Sequence, residues 1–330
     1  MSPNSYIISV DGGASSSLCA TISLQGDLIG LEKGKPIAAI HSNYRVRKNL
    51  LNLIKKTLKK KGIDIENCKR ISVGIAGTPY ILEEKLIESI TQILGDLDHE
   101  CDFLINPDIK TTWAGATALE EGVSVYSGTG SNAYGINKKG KSVGVDFMGS
   151  LLGDNGSGYD IGVKALRSVA ESLDGRGENT SLKGTIFEEF GLKKEADFFR
   201  KDWRSLPRKR IAKLSKIVNE EAKSDKKAKD ILEEAGDKLA DYGKTVIRRL
   251  DVGSVDHIYY SGGVFKSPYV LNSFIQNIRR EITVGIEEAL FNPVLGAYLL
   301  ACGDISVTID DDLLINLDKI KKKIDKLRRR

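Results

Sequence analysis

Short apolar segments alternate along the chain with longer amphipathic segments, and this alternation predicts an α/β fold. Apolar runs of about four to eight residues between turn signals are typical of strands, whereas apolar positions that recur every three or four residues are typical of helices. In the first third the pattern predicts strands at Tyr6–Val10, Leu18–Leu24, 70–77 and 101–106, and helices around 44–60, 82–94 and 109–120.

The rest of the chain follows the same plan with a long helical segment added. The pattern predicts three short strands within 123–145, a Lys- and Glu-rich helical region at 183–250, a strand at 257–263, and helices at 268–280 and 293–302. No Pro- or Ser-rich linker separates the two parts, so only the pattern places a boundary, near Glu120. We therefore predict domains at 1–120 and 121–303, the second with a helical insertion, and a C-terminal helix in 304–330.

One unit occurs twice: an apolar strand, a loop of small polar residues, a second strand, a turn and a third strand. It reads "YIISVDGGASSSLCATISLQGDLIG" near the N terminus and "VSVYSGTGSNAYGINKKGKSVG" about a domain later, which indicates an internal duplication of architecture. Gly128, Gly130 and Ala133 fit G-x-G-x-x-A, but the pattern after them predicts a strand, so a dinucleotide-binding turn is disfavoured. Backbone N–H groups in such a loop can still converge on a phosphate.

Composition and charge are those of an ordinary globular protein. The 330 residues are 41% hydrophobic and 29% charged, with a formal net charge of +5. Residues 319–330 carry eight Lys or Arg and one Asp, so the remainder of the chain has a balance of −2. The basic excess is therefore confined to the tail.

Within the tail, five apolar residues recur at helical spacing: Leu313, Leu317, Ile320, Ile324 and Leu327. They predict an amphipathic helix whose apolar face docks on its own domain or on a partner subunit, while Lys321, Lys322 and 328–330 stay in water. Contact with nucleic acid or a membrane surface is the less favoured alternative.

The cysteines are expected to be reduced and buried. Cys19, Cys68, Cys101 and Cys302 are widely spaced and form no CxxC pair, which disfavours a metal site or a disulfide framework. No apolar run approaches the roughly 20 residues of a membrane span, and the N terminus enters a strand without a secretion signal. We therefore expect a cytoplasmic protein.

Other catalytic motifs find no support in the sequence. "GKT" at 243–245 lacks the upstream glycine of a Walker motif. His41, His99 and His257 have no serine or metal partner at a suitable spacing. Hydrolase and zinc-enzyme interpretations are therefore disfavoured.

Six motifs, in chain order, are similar to those of the branch of the actin–hexokinase–Hsp70 superfamily that holds N-acetylglucosamine kinases and BadF-type ATPases. "SVDGGASSS" resembles its first phosphate motif, "INPD" its aspartate-bearing strand end, "YSGTGSNA" its second phosphate motif, "LLGDNGSGYDIG" its G-D-E-G-S-G stretch, "YYSGGVFKSP" its adenosine motif and "NPVLGAYLLA" its last helix. The resemblance implies an α/β protein with two RNase H-like, actin-like ATPase domains around a nucleotide cleft. It also implies ATP-dependent phosphorylation of a sugar hydroxyl.

Phosphoryl transfer needs donors around the polyphosphate, a Mg²⁺ ion and a base on the acceptor hydroxyl. By the resemblance, Asp11 would orient Mg²⁺ through water and Asp108 would be the general base. Simpler roles compete, with Asp11 as a turn residue, Asp108 as a helix N-cap and Gly262–Gly263 as a strand end. The residues that would bind ATP are Asp11, Gly12, Gly13, Ser15, Ser17, Gly128, Thr129, Gly130, Ser131, Gly262 and Gly263.

By the same resemblance, Asn43, Asp108, Asn132 and Asp154 would bind the acceptor sugar. The sequence departs from the family pattern near this pocket. The first loop lacks the Lys of G-G-G-T-K-T, Asn155 replaces the Glu of G-D-E-G, and residues 145–149 replace G-G-W-G. The acceptor therefore stays open among N-acetylglucosamine, glucosamine, glucose and another hexose.

Two other classes of function remain as alternatives. One is an ATPase activator of acyl-CoA dehydratases or reductases, which needs an iron–sulfur cluster held by cysteines of two subunits, whereas the cysteines here lie outside the Gly-rich segments. The other is a non-catalytic sugar sensor. The favoured hypothesis is a homodimeric sugar kinase that uses ATP and Mg²⁺ and has neither a membrane nor a nucleic acid as partner.

Overall fold

The computed structural model describes residues 5–77, 84–97 and 101–329. The strands are β1 (Tyr6–Gly12), β2 (Ser17–Ser23), β3 (Leu28–Gly34), β4 (Cys68–Ile75), β5 (Phe103–Pro107), β6 (Gly122–Ser127), β7 (Ser131–Ile136), β8 (Ser142–Val145), β9 (His257–Ser261) and β10 (Gly285–Glu288). The helices are α1 (Asn43–Lys61), α2 (Glu84–Thr91), α3 (Ile93–Leu97), α4 (Asp108–Thr117), α5 (Gly149–Leu152), α6 (Gly158–Asp174), α7 (Leu182–Phe190), α8 (Glu195–Arg200), α9 (Arg208–Ala212), α10 (Leu214–Glu221), α11 (Lys226–Leu250), α12 (Pro268–Arg279), α13 (Pro293–Asp304) and α14 (Asp311–Arg329). Short 3₁₀ helices lie at 65–67, 203–205 and 264–266.

The chain forms two compact units. The first joins the chain up to Glu120 with the segment from Glu288 onward, and the second is Glu121–Glu287. Residues 288–303, which the sequence pattern assigns to the second domain, therefore belong to the first unit. Part of the predicted helix at 82–94 falls on residues 78–83, which lie outside the described chain, as does His99.

The first unit is a five-stranded sheet covered on both faces. Its strand order is β3-β2-β1-β4-β5, antiparallel across the β1–β2–β3 hairpins and parallel from β1 to β4 to β5. Alternation along β1 sends Tyr6, Ile8 and Val10 to the core under α1 and Ile7 to the opposite core, which contains α13. Helix α13 returns to this unit because that second face needs a cover, and Tyr298 there donates its hydroxyl to Ser23 O at 2.8 Å.

The second unit has the same strand order, β8-β7-β6-β9-β10. Its hairpins β6–β7–β8 are antiparallel and β6–β9 is parallel, as in the first unit. The two sheets thus show the duplicated architecture that the repeated unit predicts.

The helical insertion lies between β8 and β9, where α5–α11 replace the single α-helix α1 found between β3 and β4. The sequence pattern does not predict α6, because Gly158 and Gly162 lower the helix propensity of its first turns. Both glycines are explained by packing: a Cβ on Gly162 would lie 2.2 Å from Ile211 O, and one on Gly158 would lie 2.9 Å from Gly128 O. No helix of the described chain is long and apolar enough to cross a membrane.

The C-terminal helix α14 docks on its own unit. Leu313, Leu317 and Ile324 are buried in the core that contains α13, with Ile320 and Leu327 partly buried beside them. Lys321 differs from the expectation, since it is half-buried and its Nζ donates to Ala289 O at 3.5 Å. The side chains of residues 328–330 lie outside the described part of the chain.

Candidate functional site

Asp11 and Asp108 are brought to the same edge of the first sheet. Gly12 at the end of β1 pairs with Ile75 at the end of β4, and Ile75 pairs in turn with Pro107 at the end of β5. Since these three strands are parallel, their carboxyl ends form one edge, where ligands of open α/β sheets bind. Pro107 is the N-cap of α4 and Asp108 its first residue, so the N-cap role considered for Asp108 falls one position earlier.

The pKa of Asp108 is strongly raised. Burial of the carboxyl is the main cause, and the negative charge of Asp11 adds to it. The N–H groups of Ile109 and of Asp108 itself oppose the shift only in part, and the pKa rises from 3.8 to about 7. A carboxyl that titrates near neutrality can accept a proton at physiological pH, as a general base must.

The first small-residue loop combines close packing with an unsatisfied donor. A Cβ on Gly12 would lie 2.5 Å from Gly74 O, and one on Gly13 would lie 2.6 Å from Ser16 O, so glycine is required at both positions. Ser15 is exposed, whereas Ser17 is buried and its Oγ has no hydrogen-bond partner within the described residues. Buried hydroxyls are normally paired, so Ser17 Oγ is a donor that an oxygen of a ligand would satisfy.

The segment that leads into α1 runs along the same edge. Ala38 and Ala76 form a parallel bridge, and the N–H of Ala76 donates to Gly12 O at 2.8 Å. Asn43, half-buried, is the first residue of α1 a few positions later. The bridge therefore fixes the approach to Asn43 beside the ends of β1 and β4.

Two further polar groups of this unit were not predicted. His41 Nε2 and Asn106 Nδ2 are buried and lack a partner among the described residues. His41 is two residues before Asn43, and Asn106 is two residues before Asp108. The only sequence signal that could have identified them as site residues is their position inside the motifs "IHSN" and "INPD".

The second small-residue loop, 128–130, is fastened by the first turn of α6. The N–H of Gly128 donates to Gly130 O at 2.8 Å, which closes the loop on itself. The N–H of Gly158 donates to Gly128 O at 2.8 Å, and that of Tyr159 to Thr129 O at 3.4 Å. The helix N terminus thus holds the loop from outside, and Ser157 caps that terminus by accepting from Asp160 N.

Asp154 and Ser131 are tied to each other. The N–H of Ser131 donates to Asp154 Oδ1 at 3.0 Å, and its hydroxyl donates to Asn155 O at 2.8 Å. Arg208 donates through Nη2 to Asp154 Oδ2. Both donors of Ser131 and both oxygens of Asp154 are therefore engaged inside the second unit, a bracing role that the sequence did not predict.

A second network holds the backbone around Asp154. Asp146 and Asp154 have φ of 62° and 59°, conformations that cost a non-glycine residue about 1–3 kcal/mol. Asp146 Oδ2 accepts from the N–H of Asp154 at 2.6 Å and from the hydroxyl of Tyr242, and the Tyr242 hydroxyl accepts from the N–H of Asn155 at 3.0 Å. Burial raises the pKa of Asp146. The residues that depart from the family pattern, Asp146 and Asn155, thus fix this strained turn.

Gly262 and Gly263 lie beside the second loop. Strand β9 runs parallel to β6, with Ser261 opposite Tyr126. Gly262 has φ +105°, and a Cβ there would lie 2.0 Å from Ser127 O, so only glycine fits. A Cβ on Gly263 would have no atom within 4 Å, which leaves open space beside it. Asn132, in register with Tyr126, is half-buried at the start of β7.

Known proteins resemble this chain over most of its length. Residues 8–301 match the family described as the BadF/BadG/BcrA/BcrD ATPase family. An N-acetylmuramic acid/N-acetylglucosamine kinase from Clostridium acetobutylicum is 36% identical over 251 residues, which cover 75% of this chain and 81% of the relative. An N-acetyl-D-glucosamine kinase from Dictyostelium discoideum is 27% identical over 316 residues, or 89% and 97% of the two chains.

Solved structures share the fold. A candidate N-acetylglucosamine kinase from Chromobacterium violaceum superposes with a TM-score of 0.69 at 20% identity, covering 90% of this chain and 99% of the other. A ROK family glucokinase from Streptomyces griseus, solved with glucose and AMPPNP, gives a TM-score of 0.58 at 16% identity, with coverages of 89% and 98%. These likenesses show that the chain has the same α/β fold, the actin-like ATPase fold.

Proposed function

Because the chain belongs to the BadF/BadG/BcrA/BcrD ATPase family, whose model spans residues 8–301, we propose that it is an ATP-dependent kinase of N-acetylated amino sugars. The acceptors that we propose are N-acetylglucosamine and N-acetylmuramic acid, in accord with the two curated kinase relatives. The observation that carries the proposal is Asp108, a carboxyl with a pKa of about 7 at the carboxyl edge of the first sheet, beside Asp11.

In the proposed reaction Asp108 accepts the proton of the acceptor hydroxyl while that oxygen forms a bond to the γ-phosphorus. The bond between this phosphorus and the leaving oxygen of ADP breaks in the same transfer. General-base assistance of this kind contributes about 10²- to 10⁴-fold to the rate. Asn43, Asn132 and Asp154 are proposed to orient the sugar, and Asp154 would do so from its position between Ser131 and Arg208.

The residues present fit a magnesium-bound polyphosphate. Asp11 and Asp108 are close enough for the charge of one to raise the pKa of the other, an arrangement that a divalent cation relieves. The unpartnered Ser17 Oγ is a donor ready for a phosphate oxygen. Bound Mg²⁺ would neutralise charge on the transferring phosphoryl group, and we propose that Asp11 holds it through water. Gly12, Gly13, Ser15, Ser17, Gly128, Thr129, Gly130, Ser131, Gly262 and Gly263 are the proposed contacts to ATP.

We also propose a cytoplasmic location and a homodimer. The cysteines are buried and form no disulfide among the described residues, which suits a reducing compartment. The homodimer stays a prediction from the sequence.

Coupled ADP release across hexoses and amino sugars, with and without EDTA, tests the function. We expect release with N-acetylglucosamine, loss of release with EDTA, and a phosphorylated sugar detected by mass spectrometry. Full-rate ATP hydrolysis without any sugar, or a brown protein with visible cluster absorption, would instead identify an ATPase activator. Sugar binding without ADP release would identify a sensor.

A further inference from the structure

Arg208 lies beside Asp154, one of the proposed sugar-binding residues, and has no role in the proposed transfer. It is the first residue of α9, and its Nη2 donates to the Asp154 carboxylate. Its guanidinium carbon lies 5.3 Å from the centre of the Tyr159 ring, at the distance of a cation–π contact. These two contacts hold the guanidinium in one place.

The guanidinium still has capacity for a ligand. The guanidinium carries five N–H donors in one plane. The hydrogen bond to Asp154 uses a donor on Nη2. The Arg208 side chain is 49% exposed, whereas that of Asp154 is 12% exposed. One side of the guanidinium is therefore paired with Asp154. The rest of the side chain faces solvent beside this proposed sugar-binding residue.

The packing of α9 keeps Arg208 near the second loop. A Cβ on Gly158 would lie 3.1 Å from Ala212 O, so α9 packs directly against the first turn of α6. That same turn donates to the carbonyl groups of Gly128 and Thr129. Arg208 is thus anchored to the same helix end that fixes the proposed phosphate loop.

The surroundings of Arg208 favour an anion. Residues 203–219 contain six cationic side chains and no Asp or Glu, although the chain outside its tail has a balance of −2. A surface of one sign raises the local concentration of ligands of the opposite sign. The six, all exposed, are Arg204, Arg208, Lys209, Arg210, Lys213 and Lys216.

We propose that Arg208 is a specificity-determining residue that binds a carboxylate on the acceptor sugar, so that this kinase favours an acidic amino sugar over a neutral one of the same shape. The inference rests on the proposed kinase function. A planar guanidinium pairs with a carboxylate in a bidentate geometry that an ammonium group cannot reproduce. N-acetylmuramic acid, which carries a lactyl carboxylate on the sugar ring, has the required chemistry.

The test compares N-acetylmuramic acid with its carboxamide, which has nearly the same shape without the charge. We expect the wild-type protein to favour the acid in kcat/KM by about 10- to 100-fold, the range for one charged hydrogen-bonded contact. Arg208→Gln should bring the ratio of acid to amide close to one, and Arg208→Lys should give an intermediate ratio. Because each ratio is measured on one preparation, any loss of folded protein cancels.

Arg204→Gln is the matched control. Arg204 lies in the same basic segment and pairs with Asp202 at 3.2 Å, so its replacement removes the same charge without touching Asp154. It should keep the preference for the acid. An equal ratio for wild type and Arg208→Gln, or a ratio near one in the wild type, would overturn the inference and leave the kinase function standing. Failure to phosphorylate any amino sugar would overturn the proposed function itself.

Discussion

Replacement of Asp108 by Asn should remove activity and, at neutral pH and above, raise stability. An amide of the same shape cannot accept the hydroxyl proton, so we expect turnover to fall about 10²- to 10⁴-fold while ATP and sugar still bind. The same change removes a carboxylate whose ionisation is opposed by burial and by the charge of Asp11. Activity and stability should therefore move in opposite directions.

The size and the pH window of the stability effect follow from the pKa. A rise from 3.8 to about 7 corresponds to about 4 kcal/mol, and the partial exposure of Asp108 makes this an upper limit. A carboxyl with a raised folded-state pKa carries no penalty below its unfolded pKa, and stability falls as the pH rises from the unfolded to the folded pKa. The advantage of Asp108→Asn should thus be absent near pH 4, grow up to about pH 7 and stay constant above.

Thermal unfolding from pH 4 to 8.5, without nucleotide or Mg²⁺, measures this effect, and a coupled assay on the same samples measures turnover. Asp318→Asn, at an exposed position of α14, removes the same charge and is the matched control. A difference in melting temperature between Asp108→Asn and the wild type that does not change with pH would refute the account of the Asp108 pKa. Turnover close to that of the wild type would remove Asp108 from the mechanism.

Three further predictions concern the strained turn, the glycine pair and the tail. Tyr242→Phe removes a hydroxyl that bridges the two sides of the turn, so the KM for sugar should rise about tenfold with little change in the KM for ATP; an equal rise in both KM values would contradict an effect confined to the sugar. Gly262→Ala should lower the melting temperature sharply because its Cβ would meet a carbonyl 2.0 Å away, whereas Gly263→Ala, with no atom within 4 Å, should not; equal melting temperatures would contradict the packing argument. Deletion of residues 311–330 removes three buried aliphatic side chains, worth about 1.5–3 kcal/mol each, and uncovers the core they pack on, so it should destabilise the protein, while Lys322→Gln should do little, as circular dichroism melts would show; an unaffected truncation would disprove the docking.

Local patterns predicted most of the elements because their signals lie within a few residues. The strands β1, β2, β4 and β9 and the helices α1 and α12 appear within about two residues of their predicted bounds. The loops around Gly12 and Gly128 were found because small residues follow an apolar strand in both halves. The approach of Asp11 to Asp108 also follows from the sequence, once both are placed at the ends of parallel strands.

Contacts between distant segments could not be predicted in this way. Arg208 and Asp154 are 54 residues apart in the sequence, and Tyr242 and Asp146 are 96 residues apart. The sequence around each residue gives no sign of its partner. Helix α13 was predicted at 293–302, but periodicity does not state which sheet a helix covers. Its predicted place in the second domain was therefore wrong, because the core that contains Ile7 and Tyr298 required a cover.

Because the first unit joins residues up to Glu120 with residues from Glu288 onward, it cannot be completed until the second unit has been synthesised. The second unit, Glu121–Glu287, is contiguous and can fold as soon as it leaves the ribosome, while the face of the first sheet around Ile7 waits for α13 and α14. A nascent or prematurely terminated chain therefore exposes an apolar sheet face of the kind that chaperones bind. A circular permutant that starts at Glu288 and joins residue 330 to residue 1 would place the whole first unit ahead of the second, and should aggregate less during translation than the natural order.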